Sequence, residues 1–225
     1  MTEIVYKSKN AVVVYKTSGV PSQSDMSGDS DALTLTSQAL REMGEDGTLY
    51  LVHRLDRVVG GLLIFARNKK SAAALSALVS GEGVGKTYLA VISGIVPCGI
   101  MRDYIYKDSK IGKAFTVDKA RAGVKEAELY CECLDSVSVG GEVRSLLRIR
   151  LKTGRFHQIR VQLASRGAPI VGDGKYGSLD KGCRMPALFA VSVSATALDE
   201  KIEATRFPPI DEYPWNLFGK DKYVL

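Results

Sequence analysis

The sequence predicts a chain of both helices and strands, with strands dominating its second half. Two observations carry this. Short apolar runs and alternating segments of strand length recur between Ala11 and Ala197, and helical apolar spacing appears at 32–43, 68–79 and 155–166. At 225 residues and 45% hydrophobic, the chain can bury a full core, and it reads as a single domain over 1–225 with room for two lobes.

The first strand covers 11–15. Gly19, Pro21 and a Ser/Asp/Gly-rich stretch up to Asp31 then read as a mobile loop. Leu33, Thr36, Leu40 and Met43 give a helix over 32–43, which Gly44 stops. Strand-like segments at 48–52 and 62–66 flank His53-Arg54-Leu55-Asp56, which places a carboxylate beside two cationic or potentially cationic side chains on a short connection. A reacting acid would sit there. Asn68 is the N-cap of a second helix running to Val79, before glycines at 81, 83 and 85. Strands follow at 87–95, 126–133, 144–152 and 188–197, while 98–125 reads as a loop.

In the 144–152 strand, Leu147, Ile149 and Leu151 alternate with Arg148, Arg150 and Lys152, giving one core face and one cationic face. The cationic face either tracks phosphate or is simply a wet sheet face. Residues 155–166 read as a helix with Phe156, Ile159 and Leu163 in its apolar stripe and Arg160 at the edge, one turn beyond Phe156.

The formal net charge of +6 is modest, but its distribution is uneven. Residues 1–50 hold four Lys/Arg against seven Asp/Glu, whereas 144–175 hold eight against Asp173 alone. A solvated surface accounts for many charge runs; a basic stripe in a near-neutral remainder suits a polyanion such as RNA. No apolar run approaches the roughly 20 residues that span a bilayer, and the N-terminus lacks a signal pattern, so a cytoplasmic protein is expected. Cys98, Cys131, Cys133 and Cys183 form no C-x-x-C pair, and His53 and His157 are the only histidines. Reduced thiols and no metal site follow.

Two motif matches fail on context. Ser80-Gly81-Glu82-Gly83-Val84-Gly85-Lys86-Thr87 resembles a phosphate-binding loop, but it lacks the first glycine and lies between a helix and a following strand, the reverse of the required order. Gly172-Asp173-Gly174-Lys175-Tyr176-Gly177 fits the dinucleotide fingerprint but opens no apolar-periodic helix, so it reads as a turn.

Three polar segments remain: His53 to Asp56, Lys86 with Tyr88, and Gly154 to Arg160. Singly, each has an ordinary reading: Asp56 caps a turn, Tyr88 is a core aromatic, Arg160 is half of a structural ion pair. Together they resemble, in order, the motifs of the RluA-type pseudouridine synthases, which isomerise uridine in ribosomal and transfer RNA. His53-Arg54-Leu55-Asp56, followed by Gly61 and an apolar strand, is similar to the first motif. Lys86-Thr87-Tyr88-Leu89-Ala90 with Gly94 is similar to the second. The third is matched by Gly154-Arg155-Phe156-His157-Gln158-Ile159-Arg160, then Leu163-Ala164, Gly167, Pro169-Ile170, Gly172-Asp173 and Tyr176-Gly177.

That resemblance implies an α+β pseudouridine synthase catalytic fold, with a long mixed, mostly antiparallel sheet, flanking helices and a central basic cleft. It implies that Asp56 is the catalytic nucleophile or base, that Arg160 holds it ionised, and that Tyr88 lies against the target base. Arg54 fills the place left by a flipped-out nucleotide, Leu163 lines the uracil pocket, and Arg155, His157 and Gln158 contact substrate. His53 and His157 serve as hydrogen-bonding braces rather than proton carriers. The implied partner is an rRNA or tRNA substrate. No redox cofactor, nucleotide, metal, membrane or obligatory protein partner is implied, and a monomer is expected.

No room lies before Lys9 for an N-terminal RNA-binding domain, so site choice is expected to draw on the loops at 20–31 and 98–125. The sequence departs from the family at Lys16-Thr17-Ser18-Gly19, where Lys-Pro-x-Gly is usual. It departs again at Val59-Gly60-Gly61, where Thr-Ser-Gly is usual, and at Phe189, where histidine is frequent. Two other classes are distinguishable by mutation. A non-catalytic RNA-binding protein would keep its function in Asp56→Ala, and a nucleotide-binding protein would lose nucleotide affinity in Lys86→Ala.

Overall fold

The computed structural model describes residues 2–223. In chain order its elements are β1 (Thr2–Lys7), β2 (Ala11–Lys16), α1 (Ala32–Glu42), β3 (Tyr50–Leu51), β4 (Gly60–Ala66), α2 (Lys69–Ser80), β5 (Gly85–Ser93), β6 (Gly99–Asp108), β7 (Lys113–Val117), β8 (Val124–Val139), β9 (Glu142–Leu151), α3 (Gln158–Ala164), β10 (Leu188–Ala197) and β11 (Glu200–Thr205). The chain divides into two compact units, 1–86 with 189–208 and 87–188 with 209–225.

In the first unit the apolar runs of β2 and β4 pair antiparallel, Ala11 opposite Ala66 through to Lys16 opposite Gly61. All seven β4 residues are buried, which is why this segment reads as a continuous apolar run rather than an alternating one. β10 joins β4 in parallel at Phe189–Gly60 and Ala190–Gly61. Gly61 has φ +122°, and a Cβ there would lie 2.4 Å from the Ala190 nitrogen and oxygen, so only glycine allows this junction. Val13, Leu62 and Ile64 pack with Leu75 of α2 and with Val193 and Ile202.

The helix starts match expectation. Asp31 accepts from the Thr34 amide at the start of α1, and Asn68 with Ser71 forms a reciprocal capping box on α2. α2 ends at Ser80 and β5 starts at Gly85, the element order that excludes a phosphate-binding loop. β1 and β11 are additions to the expected list. β1 has only half-exposed and exposed residues, and Ile202 and Ala204 alone are buried in β11, so neither has a strong apolar signal. The expected 48–52 strand contracts to Tyr50–Leu51.

The second unit pairs β5, β9, β8, β6 and β7 in that order, every neighbour antiparallel. The α+β class and mostly antiparallel pairing are therefore as expected. α3 covers β6 and β7 through Val161, with Ile105, Ala114, Ala127 and Tyr176 in the same cluster. Two expectations are corrected here. The 98–125 loop is largely the β6–β7 hairpin followed by a short connection. The third helix starts at Gln158, not Arg155, because His157 is left-handed (φ 54°) and Gln158 Oε1 turns back to accept from Thr153 Oγ1 (2.8 Å) and the Arg155 amide (2.9 Å).

Of the two readings of the basic stripe, its ion pairs favour the solvated sheet face. Arg148 pairs with Glu132, Lys152 with Glu128, Arg144 with Asp180 and Glu142, and Arg166 with Asp103. Arg150 lies 6.0 Å from the Tyr130 ring centroid instead. Two of the three cations on this face of β9, Arg148 and Lys152, are therefore ion-paired with carboxylates of β8.

Candidate active site

Asp56 lies on the connection between β3 and β4, in the first unit. The loop owes its shape to contacts with the segment after β2. Ser22 Oγ donates to the Leu55 carbonyl (2.8 Å) and accepts from the Leu55 amide (3.1 Å), both buried. The Gly19 amide donates to the Arg57 carbonyl (2.8 Å), and Arg57 Nε returns a bond to the Gly19 carbonyl (2.9 Å). The Arg57 guanidinium also meets Asp29, Ser27 Oγ (3.0 Å) and Asp25 (3.6 Å). Within the loop the Val59 amide donates to the Asp56 carbonyl (3.0 Å). The loop keeps this backbone bracing although the hydroxyls usual at positions 59 and 60 are missing.

Lys16 closes the arrangement from below. It ends β2 fully buried, and its Nζ donates to three carbonyls, Val20 (2.8 Å), Thr17 (3.2 Å) and Arg57 (3.2 Å). Burial pulls its pKa from 10.5 to about 7; the Asp56 charge pushes the other way and the Arg57 charge adds to the fall. A lysine that titrates near neutrality therefore lies within electrostatic reach of the candidate catalytic carboxylate. The sequence reading passed over Lys16, Ser22 and Arg57. The available signal was a charged residue continuing an apolar strand on its buried side.

The sign of the resulting pH dependence is fixed. An unfolded Lys16 binds its proton up to about pH 10.5 whereas the folded one releases it near 7, so the burial penalty is greatest below pH 7 and lifts as pH rises towards 10.5. In paired urea titrations, the stability of wild type relative to Lys16→Met is expected to improve by about 2 kcal/mol between pH 7 and pH 9. A constant difference would mean that Lys16 does not titrate in this window.

His53 Nε2 accepts the Ile64 amide of β4 (3.1 Å). Burial, then the Lys86 charge, pushes its pKa down to about 3, so it is a neutral brace for the loop rather than an acid. Arg54, next to Asp56, is exposed and has no hydrogen bond or ion pair among the described residues. That leaves it available to an incoming nucleotide.

Tyr88, Arg160 and the remaining candidates belong to the second unit. Tyr88 is 6% exposed on β5, opposite Ile149 of β9. Arg160 is buried on α3, and its guanidinium grips Asp173 with two bonds, Nε–Oδ2 at 2.6 Å and a second nitrogen to Oδ1 at 2.8 Å. It also lies 5.0 Å from the Tyr176 ring centroid. The fork fixes the arginine rotamer as no single bond would.

Gln158 gives its amide to the protein, accepting as above and donating to the Glu128 carbonyl (3.1 Å), which makes it a brace at the start of α3. Arg155 donates to the Glu126 carbonyl (2.7 Å). His157 stacks on Phe156 (3.8 Å between centroids), and its Nδ1 shares a hydrogen with Tyr176 Oη (2.8 Å). Leu163 is fully buried, as its place in the apolar stripe requires.

Comparison with known proteins gives these residues their context. Residues 10–165 match the RNA pseudouridylate synthase family profile. An RNA pseudouridine synthase of Haemophilus influenzae is 33% identical over 214 residues, covering 92% of this chain and 87% of that one. Ribosomal large subunit pseudouridine synthase D of Borreliella burgdorferi is 31% identical, covering 79% of this chain and 55% of that protein. tRNA pseudouridine synthase C of Yersinia pestis is 30% identical, covering 80% and 72%. Among solved structures, human RNA pseudouridylate synthase domain containing 1 superposes with a TM-score of 0.74 at 26% identity, covering 93% of this chain and 84% of that one. With this match spanning both the Asp56 loop and the Arg160 helix, the chain belongs to the RNA pseudouridylate synthase family of isomerases.

Proposed function

We propose that this protein isomerises selected uridines of ribosomal or transfer RNA to pseudouridine, with Asp56, Tyr88 and Arg160 as its catalytic residues. The observation that carries this is the bracing of the Asp56 loop by Lys16, Gly19 and Ser22, which hold Leu55 and Arg57 on either side of Asp56, at the motif where the family has its catalytic aspartate. A carboxylate held in that way can act on a substrate without carrying the loop with it.

The reaction breaks the bond from the ribose to the uracil nitrogen, turns the base and rejoins it through carbon, which loses a proton while the freed nitrogen takes one up. No atoms enter or leave overall, so no redox partner or nucleotide is called for. In this reading ionised Asp56 attacks the sugar or base, or removes a proton from the sugar. Arg160, oriented by Asp173, is the basic residue of the catalytic set. Tyr88 stacks on the uracil, and its hydroxyl assists proton removal. Arg54 enters the place of the flipped nucleotide, and Leu163, Arg155 and His157 shape the surrounding site. We further propose that the chain acts as a single catalytic domain, monomeric and cytoplasmic, without an obligatory protein partner. No helix among the described residues is long and apolar enough to cross a membrane.

Site-resolved pseudouridine mapping tests the reading. RNA from cells lacking this gene is treated with the purified protein, and new pseudouridines are expected at a small set of positions in rRNA or tRNA. Their absence from both RNA classes would refute it.

A further inference from the structure

Some cations of the second unit are paired with carboxylates, and others are held in place without one. Among the described residues, Lys107 of β6, Lys113 of β7 and Lys175 in the turn after Asp173 form no ion pair. These three lysines, distant in sequence, border one surface. Lys107 Nζ lies 4.6 Å from the Phe156 ring centroid, and Lys113 Nζ lies 5.3 Å from that of Tyr176. Lys175 Nζ donates to the Gly112 carbonyl of the β6–β7 turn (2.9 Å). Tyr176 Oη ties the group together, accepting from the Ala114 amide (2.8 Å) and meeting His157, which stacks on Phe156.

Rings and a carbonyl position these ammonium groups without cancelling their charge. Asp173 is held by Arg160, while Asp108, opposite Lys113, accepts the Lys110 amide (2.9 Å) and keeps its charge. Three ammonium groups against that one carboxylate leave the patch net positive on a preset scaffold, complementary to phosphates. The half-buried Phe156 and His157 add ring surface beside it.

We propose that Lys107, Lys113 and Lys175 form a docking site for the phosphate backbone of the substrate RNA, engaging nucleotides outside the target uridine. This rests on the reading of the substrate as RNA. It assigns to the β6–β7 hairpin a sequence-independent grip that leaves the Asp56 loop to act on the base.

The test measures binding of unfractionated tRNA and rRNA by filter retention between about 50 and about 200 mM salt. Three proteins are compared with wild type: the patch variant Lys107→Gln/Lys113→Gln/Lys175→Gln, its Lys→Arg counterpart, and Lys9→Gln/Lys69→Gln/Lys70→Gln, which removes three exposed charges from the first unit. The slope of log K against log salt is expected to fall by about 2 in the patch variant, and affinity near the lower salt by on the order of tenfold or more. The arginine variant restores both, and the Lys9/Lys69/Lys70 variant keeps the wild-type slope. An unchanged slope in the patch variant, or an equal loss in the Lys9/Lys69/Lys70 variant, overturns the proposal. If the patch variant loses slope while wild type makes no pseudouridine in the mapping experiment, the docking site stands and the isomerase reading falls.

Discussion

Asp56→Ala is expected to reduce pseudouridine formation by on the order of 10⁴-fold or more while RNA binding persists. The loop's described bracing uses the Leu55, Arg57 and Asp56 carbonyls and the Leu55 and Val59 amides, all of which alanine retains. The substitution also removes the charge that favours the ammonium form of Lys16, so the Lys16 pKa falls below its present value of about 7. Single-turnover assays on a mapped substrate RNA, with filter binding beside them, separate chemistry from affinity. A variant retaining more than about a hundredth of the wild-type rate would remove Asp56 from the chemistry, since loss of a reacting group costs far more than that.

Arg160→Met is expected to be the most damaging single change to stability. Arg160 is 4% and Asp173 1% exposed, so the variant strands a carboxylate in a site that water cannot reach. Breaking a buried pair on one side costs about 3–5 kcal/mol, which for a chain of this length lowers Tm by roughly 10 °C. Calorimetry of Arg160→Met beside Arg160→Met/Asp173→Asn is informative, because the second change removes the stranded charge and should return part of the loss. A fall below about 1 kcal/mol in the single variant would show that the pair contributes little to the fold.

Local signals were legible in the sequence. The alternation of β9, the Asn68 N-cap and the glycine after α1 act over a few residues and gave the expected elements. What escaped was non-local. The cations of 144–175 looked like a free basic stripe because their partners Glu132, Glu128, Asp180 and Asp103 come from other strands and a later turn. The β6–β7 hairpin looked like a loop because its strands bury few positions, two in β6 and one in β7. At the site, the motifs pointed to Asp56, Tyr88 and Arg160. The residues that hold the Asp56 loop come from a segment more than thirty positions earlier, as the Ser22–Leu55 bonds show, and no motif ties the two together.

The absence of a side chain at position 60 has an effect on how this chain should be compared with its relatives. A Cβ there would lie 3.1 Å from Ser18 Oγ and 3.4 Å from the Phe189 ring, and that ring is in turn 5.8 Å from Tyr15. Position 60 is where serine is usual in the family and position 189 where histidine is frequent, so the two departures face each other across one contact. A side chain at position 60 would press first on Ser18 Oγ and meet the ring only at ordinary contact distance, so the two positions are neighbours to be varied together rather than scored one at a time.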